Sequence, residues 1–198
     1  MGKLIFITGG ARSGKSTFAE KLAGQQPVEQ QREAQQSTLL QNVLYIATAV
    51  PFDDEMELRI QKHKERRPAK WETVEAYRDL DKVIEMNIDG KSAVLLDCIT
   101  VMITNLMVER NLDWDRMGTE ELYNIETEID CEIKKFIDTT KNKEALFIVV
   151  SNEIGMGLVP EYAMSRVFRD IAGRINQKLA EAADEVFFCV SGIPVKIK

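Results

Sequence analysis

The chain has 198 residues, 44% hydrophobic and 29% charged, with a formal net charge of −6. That balance predicts one globular domain over 1–198 and excludes a fibrous or disordered chain. The acidic excess argues against general nucleic-acid or membrane-surface binding, and no run is long and apolar enough for membrane insertion. The first residues enter a strand and a loop without a signal peptide's basic start and cleavage site, so a cytoplasmic protein is expected. Cys98, Cys131 and Cys189 are odd in number and widely spaced. They are expected to be reduced packing thiols and not a disulfide frame or a zinc site.

In chain order, continuous apolar runs predict strands at 4–8, 43–48, 93–97, 146–151 and 185–190, with a short edge strand in the closing Val195-Lys196-Ile197-Lys198. Runs of this kind suit strands covered on both faces. Helices are expected from the end of the first loop, over 54–66, and near 77–87, 99–110, 119–138 and 161–182. In the last of these, Met164, Val167, Phe168, Ile171, Ile175, Leu179 and Ala182 share a face, with Arg166, Asp170, Arg174 and Lys178 largely opposite. The alternation predicts an α/β fold: a mostly parallel sheet flanked by helices. The glutamine-rich segment 25–42 has little to bury and is expected to be a mobile insertion or an extension of the first helix.

The first strand leads into Gly9-Gly10-Ala11-Arg12-Ser13-Gly14-Lys15-Ser16, a complete phosphate-loop pattern in its strand–loop–helix setting. Gly9 and Gly14 admit backbone angles closed to other residues, so inward N–H groups and a helix N-terminus meet the phosphate. Lys15 would reach the β- and γ-phosphates, and the Ser16 hydroxyl would bind Mg²⁺. Asp97 closes another strand, at the edge where an open parallel sheet places its ligands, and would hold the same cation. Its alternative role is a cap on the next helix. A regulatory GTPase is disfavoured: Asn142-Lys143 is followed by Glu144-Ala145, not by the x-Asp of a guanine reader.

After the second strand, Pro51 closes the exit and Asp53 or Asp54 would cap the helix that follows. Helical spacing puts Arg59, His63, Arg66 and Arg67 on one face, flanked by Lys62 and Lys64, and Pro68 ends the helix. His63 is the single histidine of the chain. A solvated basic face is the bland alternative, but such a cluster on an acidic protein suits an anionic ligand such as a triphosphate. Neighbouring cations disfavour imidazolium, keep His63 neutral and nucleophilic, and would stabilise departing pyrophosphate. A phosphoramidate intermediate becomes accessible.

These motifs, with Ser151-Asn152-Glu153-Ile154-Gly155-Met156-Gly157 and Arg169-Asp170-Ile171-Ala172-Gly173-Arg174, resemble the bifunctional adenosylcobinamide kinase/adenosylcobinamide-phosphate guanylyltransferase family of cobalamin synthesis. The resemblance runs from the first strand to the last residues and implies a RecA-like P-loop fold. It implies phosphorylation of adenosylcobinamide by ATP or GTP, then transfer of GMP from GTP to adenosylcobinamide phosphate through His63. It further implies nucleotide contacts at 9–16, at Ala47, Thr48 and Ala49, at Lys64, Glu65, Arg66 and Arg67, and at Glu75 and Asp97. A homotrimer with sites at subunit boundaries is the expected assembly. A P-loop kinase for another small alcohol, with His63 unused, is the competing reading; a nucleotide-gated binding module is a third.

Overall fold

The computed structural model describes residues 2–24, 42–51 and 54–198, apart from the side chains of Arg59, His63 and Arg66. The segment 25–41 and Asp53, read above as an insertion and a helix cap, lie outside the described residues. The described elements run β1 (Lys3–Gly9), α1 (Lys15–Ala23), β2 (Val43–Ala47), α2 (Asp54–Arg66), β3 (Glu72–Glu75), α3 (Leu80–Asn87) and β4 (Ala93–Asp97). Then follow α4 (Ile99–Val108), α5 (Thr119–Asn142), β5 (Leu146–Val150), α6 (Ala163–Ala182), β6 (Glu185–Val190) and β7 (Ile193–Lys196). The strands form one sheet in the order β3-β2-β4-β5-β1-β6-β7. Every pairing is parallel except the final β6–β7 hairpin.

Alternation along each strand divides the core between the two faces. Leu44 and Ile46 of β2 and Val94 and Leu96 of β4 join Phe136, Ile171 and Leu179 in the layer that holds α3, α4, α5 and α6. Tyr45, Ala47, Ala93 and Leu95 point the other way, toward α1. On that side Ala19 and Ala23, both fully buried, bring α1 close to the strands because neither side chain extends past Cβ. Alternation sends Asp97 toward the same face as Leu95, the face of the phosphate-loop helix.

The predicted strands are all present, and a further one, β3, was not expected from its Glu-Thr-Val-Glu sequence. The expected helices are present with shifted ends: α3 starts at Leu80, and α5 runs on to Asn142. Glu121 starts α5 by accepting the Gly118 N–H at 3.0 Å. The apolar face of α6 is borne out, and its polar side is tied to α5 by Arg174–Glu126 and Lys178–Asp130 ion pairs. One cysteine expectation is corrected: Cys131 is exposed, because it falls on the solvent side of α5, whereas Cys189 is buried and Cys98 partly so. No described helix is long and apolar enough to cross a membrane.

Candidate active site

Parallel pairing aligns the strand ends that carry the predicted residues. Glu75 of β3 lies opposite Ala47 of β2, Ala47 opposite Asp97 of β4, Asp97 opposite Val150 of β5, and Val150 opposite Ile7 of β1. The phosphate loop starts two residues beyond Ile7, so one sheet edge gathers Gly9–Ser16, Ala47–Ala49, Glu75 and Asp97.

The loop is held by its own backbone and by its neighbours. Gly14 caps α1 with φ 91°, and Gly9 has φ 152°. The Gly192 N–H donates to Ser13 O at 2.9 Å, fastening the loop to the β6–β7 turn. The Glu153 N–H donates to Gly9 O at 3.0 Å, fastening it to the segment after β5. Lys15 is buried and its ammonium donates to Gly10 O at 2.7 Å. Arg12, at φ 55°, and Ala11 are exposed at the loop's rim, and a Cβ on Gly10 would meet nothing within 4 Å. The Ser13 hydroxyl is buried without a hydrogen-bond partner among the described residues.

Asp97 does not cap α4, whose N-cap is Cys98 with no side-chain bond. Its Oδ2 instead accepts the Tyr45 hydroxyl at 2.9 Å. The Asp97–Cys98 peptide is cis, and Thr48 brackets the next residue. Thr48 Oγ1 accepts the Cys98 N–H at 2.8 Å and donates to Cys98 O at 2.8 Å. Asn105 of α4 in turn donates to Thr48 O at 2.6 Å. Burial, then the charge of Asp97, pushes the Cys98 thiol up to about 11, with its hydrogen bond to Thr100 the main opposing influence. The thiol therefore stays protonated near neutral pH.

A hydroxyl from Ser16 and a carboxylate from Asp97 form a hard-oxygen donor pair, which suits Mg²⁺. That ion takes one or two protein ligands and fills its remaining positions with water and phosphate oxygens. No cluster of three or more His, Cys, Asp or Glu ligands occurs among the described residues.

The helix α2 carries the basic cluster past this edge. Its Lys64 pairs with Glu75 at 2.6 Å, bringing together two predicted nucleotide contacts. Glu65 is exposed and accepts the Gln61 amide at 3.0 Å. Arg67, just past the helix end, lays its guanidinium 3.5 Å above the Tyr45 ring centroid. Its Nε and Nη1 are buried without a hydrogen-bond partner among the described residues. His63 lies in α2 one turn before Arg67, and its side chain, like that of Arg66, lies outside the described residues. Beside α2 are two clefts. One of about 450 Å³ is lined by Ala47–Pro51 and Glu75–Arg78, and one of about 350 Å³ by Lys64, Arg67, Pro68, Ala69, Trp71, Thr73 and Glu75.

The segment after β5 joins the same edge. Asn152 donates to Thr100 Oγ1 at 2.6 Å, and Asn176 of α6 donates to Asn152 O at 3.1 Å. Farther along, Met156, Leu158, Val159 and Tyr162 are strongly exposed. Sequence reasoning passed over Tyr45, Trp71, Thr100 and Asn105. A tyrosine inside an otherwise aliphatic strand was the one available signal, since its hydroxyl must find a partner when buried.

Comparison with known proteins agrees with this geometry. The family model described as "Cobinamide kinase / cobinamide phosphate guanyltransferase" matches residues 5–197. The bifunctional adenosylcobalamin biosynthesis protein CobU of Salmonella typhimurium is 46% identical over 98% of this chain and 99% of its own length. Its counterpart in Escherichia coli is 44% identical over the same shares, and CobP of Pseudomonas aeruginosa is 34% identical over 97% and 95%. With its phosphate loop, aspartate and basic helix on one sheet edge and near-complete coverage of these relatives, the chain belongs to the cobinamide kinase/cobinamide phosphate guanyltransferase family.

Proposed function

We propose that this chain, as one domain over 1–198, phosphorylates adenosylcobinamide and then converts the phosphate to adenosylcobinamide-GDP in cobalamin synthesis, with His63 as the covalent carrier of GMP. The observation that carries this reading is the shared edge: a helix bearing the single histidine leaves the strand paired beside Asp97, and is tied to Glu75 in the same row. In the kinase step the substrate hydroxyl oxygen attacks the γ-phosphorus of ATP or GTP. The bond from that phosphorus to the bridging oxygen breaks, the hydroxyl proton passes to solvent, and the diphosphate departs.

In the second step a neutral imidazole nitrogen of His63 attacks the α-phosphorus of GTP, and pyrophosphate leaves as the α–β bridge breaks. The ring sheds its other proton while the N–P bond stands and regains one on release. An oxygen of adenosylcobinamide phosphate then attacks the same phosphorus, and the electron pair of the N–P bond returns to the ring. Lys15 and the loop N–H groups hold the phosphates, and the Arg67 guanidinium at the end of α2 stabilises the charge that builds on the departing group. Mg²⁺ held by Ser16 and Asp97 would neutralise phosphate charge. The apolar side chains of the 156–162 segment suit a bulky corrinoid at the rim. Action in the cytoplasm and as a homotrimer belongs to the same reading.

Pyrophosphate release from GTP separates this from a simple kinase. With adenosylcobinamide phosphate present, the wild type is expected to release one pyrophosphate per product. His63→Ala is expected to lose that release while still phosphorylating adenosylcobinamide. Equal pyrophosphate release by both proteins would remove His63 from the chemistry.

A further inference from the structure

The side chain that joins the two halves of this site is a buried phenol that no motif singles out. Tyr45 lies in β2 directly opposite Leu95, yet its hydroxyl reaches along β4 to Asp97 Oδ2, 2.9 Å away. The residue is 1% exposed, and its hydroxyl is the donor in this bond because a carboxylate oxygen only accepts. A carboxylate anchored through one oxygen cannot rotate freely, so its second oxygen is held in a fixed direction. The ring itself is enclosed. Arg67 covers one part at 3.5 Å, and Trp71 stacks at 6.4 Å between centroids with planes 29° apart.

The guanidinium seated on Tyr45 begins the chain's exit from α2, since the Arg67 N–H donates to Lys64 O at 3.2 Å. One aromatic ring therefore touches both the aspartate assigned to the cation and the end of the helix assigned to guanylyl transfer. A ring stacked on a guanidinium fixes its plane without consuming its N–H donors, which remain available to an anion.

We propose that Tyr45 is a positioning residue for both reactions: its hydroxyl orients Asp97 toward the nucleotide's cation, and its ring seats Arg67 and with it the end of the histidine helix. This rests on the assignment of Asp97 and α2 given above. Tyr45→Phe keeps the ring and removes only the hydroxyl, whereas Tyr45→Leu removes both.

The test uses the full chain with a non-hydrolysable GTP analogue and Mn²⁺ as the probe, its binding followed by electron paramagnetic resonance. Thermal melting checks that each variant is folded. Tyr45→Phe is expected to weaken Mn²⁺ binding about tenfold, within the usual range for losing a partner of a ligating group. Its affinity for the analogue without metal is expected to stay at the wild-type value. Tyr45→Leu is expected to slow adduct formation as well. Asp97→Asn serves as the reference for loss of the carboxylate. Wild-type Mn²⁺ affinity in Tyr45→Phe, alongside a loss in Asp97→Asn, would overturn the proposal alone. Wild-type affinity in both would overturn the assignment of Asp97 with it. If Tyr45→Leu cannot be folded, the hydroxyl effect in Tyr45→Phe still decides.

Discussion

A methyl group placed on Gly14 would come 2.9 Å from Gly192 Cα, on a backbone held at φ 91°. The Cβ position is fixed by the Gly14 backbone and Gly192 Cα is itself main chain, so neither can swing aside. The phosphate loop and the β6–β7 turn must separate for any larger residue to fit. Gly14→Ala is therefore expected to lower stability by about 1–3 kcal/mol and to reduce nucleotide affinity more severely than stability. Gly90 provides the control, since it also has positive φ (71°) but a Cβ there would meet nothing within 4 Å. Gly90→Ala should carry only the strain, about 1–2 kcal/mol, and leave nucleotide binding intact. Urea denaturation beside a fluorescent-nucleotide titration checks both; equal nucleotide affinity in the two variants would contradict the packing account.

Among the elements, the β1–β6–β7 corner supplies a pH-dependent contribution. Glu185 of β6 pairs with Lys3 of β1, and with Lys196 of β7 at 3.1 Å. Hydrogen bonds from those lysines hold its carboxyl below the ordinary value of 4.5. A carboxylate whose folded pKa is depressed adds stability that is present above the unfolded pKa. That contribution is lost as pH falls through the folded one. Glu185→Gln is expected to lower stability at pH 7 by about 1 kcal/mol or less, as for exposed pairs. The difference from wild type should shrink as pH falls below the ordinary carboxylate range, measured by urea midpoints at several pH values. A difference unchanged at acid pH would assign the effect to packing.

Elements also differ in how well sequence reveals them. β1, β2, β4 and β5 are covered on both faces, so they appear as continuous apolar runs. β3 does not, because as an edge strand it buries almost nothing, and its place comes from pairing with β2. The phosphate loop is legible because its chemistry is local to eight consecutive residues. The Tyr45–Asp97 bond and the seat of Arg67 are not, since they arise only when β2 pairs with β4 and α2 returns over that face. The Thr48–Cys98 and Asn105–Thr48 bonds are hidden for the same reason, since they span 50 and 57 residues of sequence.

For the whole molecule, the sheet order explains how one edge can host two reactions. Only β5 stands between β1, which delivers the phosphate loop, and β4, which delivers Asp97. β2 and β3 extend the same edge outward, carrying Thr48, the start of the histidine helix and Glu75. A nucleotide held along this edge would present its γ-phosphorus or its α-phosphorus according to which group approaches it. In the proposed mechanism the two activities share phosphate-binding machinery and differ in the nucleophile, a substrate hydroxyl in one and His63 in the other.

The most direct test is the intact mass of the protein after incubation with GTP and Mg²⁺, for the wild type and for His63→Ala. The wild type is expected to gain one GMP, lost in acid and retained in base as for a phosphoramidate, and His63→Ala to gain nothing. A folded, GTP-binding wild type without an adduct, or an adduct of equal yield on His63→Ala, would contradict covalent transfer through His63.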